Sequence, residues 1–285
     1  MNKAASPPGD RHAGLSAALA RAWPALALAF GLSLPWLGSE LFLDDWHVLW
    51  KAHEAPWTWG GLGRGFTFLD PSSIGSWNLP ALPAYHYFRP LVVATLKLSM
   101  AIWGLAPLGF HALTLSLHLG SIVLLGVLAA RLSGRERVGR LAAMLFAVQP
   151  HNVASALWTA GLTGSLGVFL MLSAIVCYLI ARQERRGAWI LPAMLLSMLA
   201  CLAKEDAVLI GVVVAAWELS RIACGFETFK EWVRKGLPTL GAMAALLVSF
   251  AAYRLFFFDP MGTLGEPYLM SPAQGGLLRF LGFAL

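Results

Sequence analysis

Residues 109–131 read GFHALTLSLHLGSIVLLGVLAAR, an apolar run with no Lys, Arg, Asp or Glu before its closing arginine. The next nine residues add Arg135, Arg137 and Arg140. Apolar runs closed by basic clusters recur along the chain. A run of roughly 20 apolar residues matches the hydrocarbon thickness of a bilayer, so this pattern predicts membrane-spanning helices. Composition agrees. Hydrophobic residues make up 58%, charged residues 13%, and the mean hydropathy is +0.67. A soluble domain carries about 25% charged residues. The pattern therefore excludes an ordinary soluble globular domain and predicts an all-α, polytopic helical bundle.

The formal charge is +6. Fourteen of the 21 bases fall in four groups: Lys3, Arg11 and Arg21; Arg131, Arg135, Arg137 and Arg140; Arg182, Arg185 and Arg186; Arg221, Lys230, Arg234 and Lys235. Each group borders an apolar run. That is the positive-inside distribution, not a groove for nucleic acid. The N-terminal segment reads as an uncleaved first span, because its apolar part is longer than a signal-peptide core and lacks a small-residue cleavage site. Cys177, Cys201 and Cys224 sit in or at the ends of apolar runs and form no CxxC pair, so they read as small hydrophobes.

Placing the basic groups in the cytoplasm fixes a topology. Spans are expected at 15–37, 109–131, 138–153, 155–181, 188–203, 206–222 and 236–257, about seven in all. Residues 38–108 form one long external loop, and 258–276 a second one. A partial last span begins at Leu277. The Pro/Gly/Ser-rich stretch 55–84 is loop. Residues 90–103, PLVVATLKLSMAIW, are short for a span, and counting them as one would turn three basic groups outward. They are expected to lie flat at the interface, with Pro90 opening the helix and Lys97 reaching the headgroups. Gly161, Gly164 and Gly167 are expected to allow close helix packing.

With this topology, polar residues gather on the external side. Asp44 and Asp45 follow span 1 in SELFLDDWHVLW. His86 and Arg89 lie in AYHYFRPL. Gln149, His151 and Asn152 lie in VQPHN, with Trp158 and Thr163 just beyond. Lys204, Glu205 and Asp206 lie in LAKEDAVL. Ionisable groups at the edge of hydrocarbon are costly and usually functional. Each has a plainer reading: the aspartates as helix caps, the Lys-Glu-Asp turn as a solvated hairpin tip, Arg89 as a surface anchor, His151 as an interfacial polar group. His47 and His53, six apart, do not match helical metal-ligand spacing. Taken together, carboxylates offer a general base, and Arg and Lys offer a fork and a point charge for phosphate. That combination suits glycosyl transfer from a lipid phosphate, in which cations stabilise the phosphate leaving group. No Gly-rich phosphate loop or βαβ pattern points to nucleotide-sugar chemistry.

The ordered stretches FLDDWHVLW, YFRPLVVATLKLSMAIWGLAPLGFHALTLSLHLGSIVLLGVLAARL, LAAMLFAVQPHNVASALWTAGLTGSLGVFL and LLSMLACLAKEDAVL cover roughly residues 40–215. Together they resemble the membrane-embedded GT-C glycosyltransferases, in particular the transmembrane-and-tetratricopeptide O-mannosyltransferases and their bacterial relatives. The resemblance implies a GT-C helical bundle with one or two flat helices in the first external loop. It implies inverting transfer from a polyprenyl-phosphate sugar donor to a protein, glycan or lipid acceptor hydroxyl, in an integral multi-pass protein of a bacterial inner membrane. The N-terminus would be cytoplasmic and the site external, among membrane lipids. By position, Asp44 or Asp45 matches the family's presumed base, Arg89 its RPL motif, and Lys204 and Glu205 its (S/A)KE motif, where the Lys holds donor phosphate. Glu205 and Asp206 would orient Lys204 or the acceptor. His86, Gln149, His151 and Asn152 would contact substrate. No metal or other cofactor is indicated.

The chain also departs from the family. Where relatives read HPxHxE, it has Gln149, Pro150, His151, Asn152, Val153 and Ala154. Where they read WxSGRxD, it has Trp158 through Gly164, with Leu162 and Gly164 in place of Arg and Asp. It has no tetratricopeptide pattern and ends in GLLRFLGFAL, which reads as a truncated or unusually short chain. Two competing readings follow: a non-catalytic protein on the same scaffold, or a transporter. The second expects ionisable groups mid-helix and internal repeats.

Overall fold

The structure is a computed structural model that describes residues 15–42, 44–68 and 85–257. The second external loop and the stretch from Leu277 lie outside the described residues, as do Lys3, Arg11 and most of the loop tip before residue 85. Helix α1 (Leu15–Ser33) continues through a 3-10 turn, Leu34–Trp36. Then come α2 (Asp44–Glu54), α3 (Trp59–Arg64), a ribbon of β1 (Phe66–Phe68) and β2 (Tyr85–Tyr87), and α4 (Pro90–Trp103). The bundle follows: α5 (Pro107–Ser133), α6 (Glu136–Val148), α7 (Pro150–Leu157), α8 (Leu162–Gln183), α9 (Ile190–Ala203), α10 (Ile210–Ala223) and α11 (Phe229–Phe257). The described residues are thus helical apart from one antiparallel ribbon, in which Phe66 faces Tyr87 and Thr67 faces His86.

Local chemistry sets these boundaries. Proline opens α4, α5 and α7, where its missing N–H costs nothing. Gly134, at φ +66°, ends α5 in the left-handed conformation that glycine adopts most cheaply. The Thr58 hydroxyl caps α3 by accepting from Gly61 N at 3.1 Å.

Four segments are long and apolar enough to cross a membrane: 17–36, 107–133, 162–183 and 229–254. These overlap the stretches expected as spans 1, 2, 4 and 7. The segments expected as spans 3, 5 and 6 form shorter helices. α6 has 13 residues, and α9 and α10 have 14 each. At 1.5 Å per residue that is about 20 Å, against a hydrocarbon core of about 30 Å. The shortening has local causes. Gln149-Pro150 ends α6, and a 3-10 turn, Glu205–Leu209, separates α9 from α10.

The main core runs from α2, β1 and α4 through α5, α8 and α9 to α11. A second, small-residue cluster of Ala25, Ala29, Ile122, Ala143 and Ala147 joins α1, α5 and α6. A close approach of α5 and α6 lies beside it. A Cβ on Gly139 would sit 2.5 Å from the Gly126 carbonyl oxygen and 2.8 Å from Ala130 Cβ. The glycines singled out from sequence act differently. Gly161 closes the turn against Ser155 and Trp158, Gly164 has only the Ser155 hydroxyl within reach, and Gly167 makes room for the Lys204 stem. Gly139→Leu should therefore force α5 and α6 apart. Overpacking of this kind costs about 1–3 kcal/mol, read as a lower melting temperature of the solubilised protein.

Helix α4 is an inner wall of the first loop. Val92, Val93, Leu96 and Ser99 are buried, and the helix packs on α2, α3 and α9. Lys97 turns inward, which corrects the expectation that it reaches headgroups. Its Nζ donates to the carbonyls of Ala52, His53 and Ala55 at 3.0, 3.0 and 2.8 Å. The reason is electrostatic: the last turn of α2 ends in unsatisfied carbonyls, and a cation is favoured there. Lys97→Met removes all three bonds. Bonds to a charged group contribute about 1.5–3 kcal/mol, so amide exchange should accelerate in the last turn of α2 while the bundle's exchange stays unchanged.

Candidate functional site

The two aspartates at the start of α2 have different surroundings. Asp45 is 1% exposed. Its Oδ2 accepts from Phe42 N at 3.0 Å, and Asp45 N donates to the Phe42 carbonyl at 2.8 Å. This reach-back is one half of a capping box. Its Oδ1 accepts from Ala160 N at 2.7 Å, across 115 residues, and ties α2 to the turn that precedes α8. Burial pushes the Asp45 carboxyl above the usual carboxylate range, and the two N–H donors and the nearby His111 offset this only in part. Asp44 is half-buried and sits on the same first turn.

Arg89 is 9% exposed. Its guanidinium lies over the rings of Tyr87, at 4.4 Å, and Phe66, at 4.9 Å. It grips Glu205 through two bonds, Nε to Oε2 at 3.1 Å and Nη2 to Oε1 at 3.3 Å. Burial alone would raise the Glu205 carboxyl. The Arg89 fork, with Arg254 beyond it, outweighs that and holds the group below the usual range. Arg254, buried near the end of α11, interacts electrostatically with Glu205, Arg89 and Tyr87. Beside this pair, Lys204 Nζ meets Asp206 Oδ2 at 2.8 Å.

The Asp and Arg/Lys groups share one end of the bundle through short links. Ala160 holds Asp45. Three residues on, the Thr163 hydroxyl donates to the Ala203 carbonyl at 3.1 Å. Lys204 follows Ala203 directly, and its stem lies against Gly167. On the other side, α2 packs on β1, whose Phe66 carries Arg89.

Among the described side chains, Gln149, His151 and Asn152 make no hydrogen bond or ion pair with this group. Gln149 Oε1 accepts from Asn152 N at 3.0 Å and caps α7. Asn152 Nδ2 donates to the Phe146 carbonyl at 3.4 Å. His151 is exposed. His86 lies in β2 opposite Thr67, and its side chain is outside the described residues. Among the described residues no three His, Cys, Asp or Glu side chains gather as metal ligands.

Sequence reasoning missed three features. His111, 1% exposed on α5, places Nε2 3.3 Å from the Ser39 carbonyl and interacts electrostatically with Asp45. Its Nδ1 and the hydroxyl of Thr159, the residue before Ala160, have no hydrogen-bond partner among the described residues. Arg254 is the second. An ionisable residue in an apolar helix was the available signal for both. The third lies at the far end of α8, about 30 Å away at 1.5 Å per residue. There Glu218, 0% exposed, receives Arg182 Nε at 2.6 Å and Nη2 at 3.0 Å, and the Tyr178 hydroxyl at 2.8 Å. Glu227 joins Arg182 at 3.0 Å and Arg221 at 3.2 Å. The basic groups read as topology markers thus include arginines paired between helices. Arg131 with Glu184 and Arg21 with Glu136 do the same.

No protein-family model matches the chain, and no solved structure matches it. Among curated proteins, a 153-residue stretch is 35% identical to Protein O-mannosyl-transferase Tmtc1 of Drosophila melanogaster, covering 50% of this chain and 16% of that protein. A 152-residue stretch is 28% identical to human Protein O-mannosyl-transferase TMTC4, covering 46% of this chain and 20% of that protein. The chain therefore spans a fifth or less of these relatives' length. Over about half of its own length, this helical chain, with four segments able to cross a membrane, is similar to proteins named as protein O-mannosyl-transferases.

Proposed function

We propose that the protein is a membrane glycosyltransferase that moves a sugar from a polyprenyl-phosphate donor to a hydroxyl of a protein or glycan acceptor, with inversion, on the external face. One observation carries the reading: a buried guanidinium, Arg89, held over two aromatic rings, shares one end of the bundle with a half-buried carboxylate, Asp44. The similarity to O-mannosyl-transferases supports the reaction class.

In this reading Asp44 takes the proton of the acceptor hydroxyl as its oxygen attacks the anomeric carbon. The bond from that carbon to the phosphate oxygen breaks, and its electron pair leaves with the phosphate. Arg89 and Lys204 stabilise the growing negative charge on that oxygen. Asp45 positions α2 and does not touch substrate, because both its oxygens already accept backbone N–H groups and it is almost fully buried. His111 and Thr159 line the same corner. Glycosyl transfer in membranes from labelled polyprenyl-phosphate sugars tests the reading. Transfer by the wild type supports it. No transfer across a broad donor panel favours a non-catalytic protein on this scaffold, the reading to which Ala154, Leu162 and Gly164 already lean.

A further inference from the structure

Both cations assigned to the donor phosphate already hold carboxylates: Arg89 holds Glu205 and Lys204 holds Asp206. A guanidinium carries five N–H donors, and its Nε/Nη edge makes a planar fork that fits a carboxylate or a phosphate. Glu205 occupies the Nε/Nη2 edge of Arg89 with two bonds, so a phosphate that takes this edge takes the carboxylate's place. Two features make the exchange feasible. Arg89 is held by Tyr87 and Phe66 independently of Glu205, so the fork stays aimed when the carboxylate leaves. Arg254 lies close enough to Glu205 to interact with it, so a displaced carboxylate keeps a guanidinium neighbour.

From this geometry we infer that Glu205 is a displaceable counter-anion that sets the site's discrimination between phosphodiester and phosphomonoester. The inference rests on the donor-phosphate reading of Arg89. A polyprenyl-phosphate sugar is a diester with one negative charge. The product left after transfer is a monoester of charge about −1.5 to −2 near neutral pH. Bare cations would hold the product more tightly than the donor. A competing carboxylate repels the more highly charged product more strongly and returns to Arg89 as the product leaves. Glu205 thereby limits product retention.

The test measures binding to the full chain in nanodiscs, by calorimetry, for wild type, Glu205→Gln and Glu205→Asp. The probes are farnesyl phosphate, its methyl ester as the diester, farnesol and inorganic phosphate. Removing a competing interaction changes affinity by about 5–150-fold in typical coupled sites. Glu205→Gln should bind farnesyl phosphate tighter than wild type by a factor in that range, with a smaller gain for the diester and none for farnesol. Glu205→Asp, with a shorter reach to Arg89, should fall between, and it serves if the Gln variant does not fold. A gain for inorganic phosphate equal to that for farnesyl phosphate would keep the exchange and make the site a general phosphate seat. Equal or weaker farnesyl phosphate binding in both variants would overturn the inference while leaving the donor-phosphate reading intact. No phosphate binding by any of the three proteins would sink both. Equal gains for monoester and diester would refute the discrimination.

Discussion

Replacing Asp44 with Asn should cut glycosyl transfer by about 10²–10⁴-fold, the contribution of a positioned general base. Membrane insertion and melting temperature should stay near wild type, because no backbone group depends on the Asp44 carboxylate among the hydrogen bonds described above. Asp45→Asn should give the opposite profile. Its amide can accept from only one of the two N–H donors at Phe42 and Ala160, and its NH2 then faces the other. Melting temperature should fall, proteolysis of the first loop should rise, and transfer should fall only as far as folding does. Single-turnover rates on the surviving folded fraction separate the two cases. A normally folded Asp45→Asn protein without transfer, beside an active Asp44→Asn protein, would reverse the assignment.

The largest expected loss of stability is at the other end of the bundle. Glu218→Ala strips the carboxylate from between Arg182 and Tyr178 in a fully buried setting. Breaking a buried pair from one side costs about 3–5 kcal/mol, since the remaining charge is stranded. The lower part of that range applies here because Glu227 still reaches Arg182. Thermal denaturation in detergent should show the drop. The double variant Arg182→Met with Glu218→Ala should lose less than the sum of the singles, since neither charge is then left alone. A strictly additive cycle would mean that the pair contributes no coupling. Gly236 supports the arrangement. A side chain there would run into Trp232 and come within 2.7 Å of Arg182 Nη2.

The legible parts of the sequence were those governed by one-dimensional chemistry. Apolar length located the four longest membrane-compatible segments, and the Arg89-Pro90 junction located the start of α4. The Asp pair and the Lys204 turn were found because charge interrupts an apolar background. What escaped was pairing across the chain. Nothing in LAKEDAVL says that Glu205 holds Arg89, 116 positions away, and nothing adjacent to Asp45 names Ala160 as its donor. Lys97 was misread because an amphipathic stem can serve lipid headgroups or a helix terminus equally well, and only packing decides between them. Glu218 was passed over because a lone carboxylate in an apolar helix carries no mark of the arginine it neutralises. The lengths of α6, α9 and α10 depended on where Pro150 and the 205–209 turn cut the apolar runs.

Helix α2 is fastened at both ends, by the Asp45 carboxylate at its start and by the Lys97 ammonium at its finish. Over its 11 residues it therefore acts as a strut about 16 Å long. A strut transmits displacement instead of absorbing it. Through these two ties α2 links α4 to the turn before α8. The first loop cannot swing α2 open as a flap on a single pivot. In the proposed reading, an acceptor reaches Asp44 with α2 held in place at both ends.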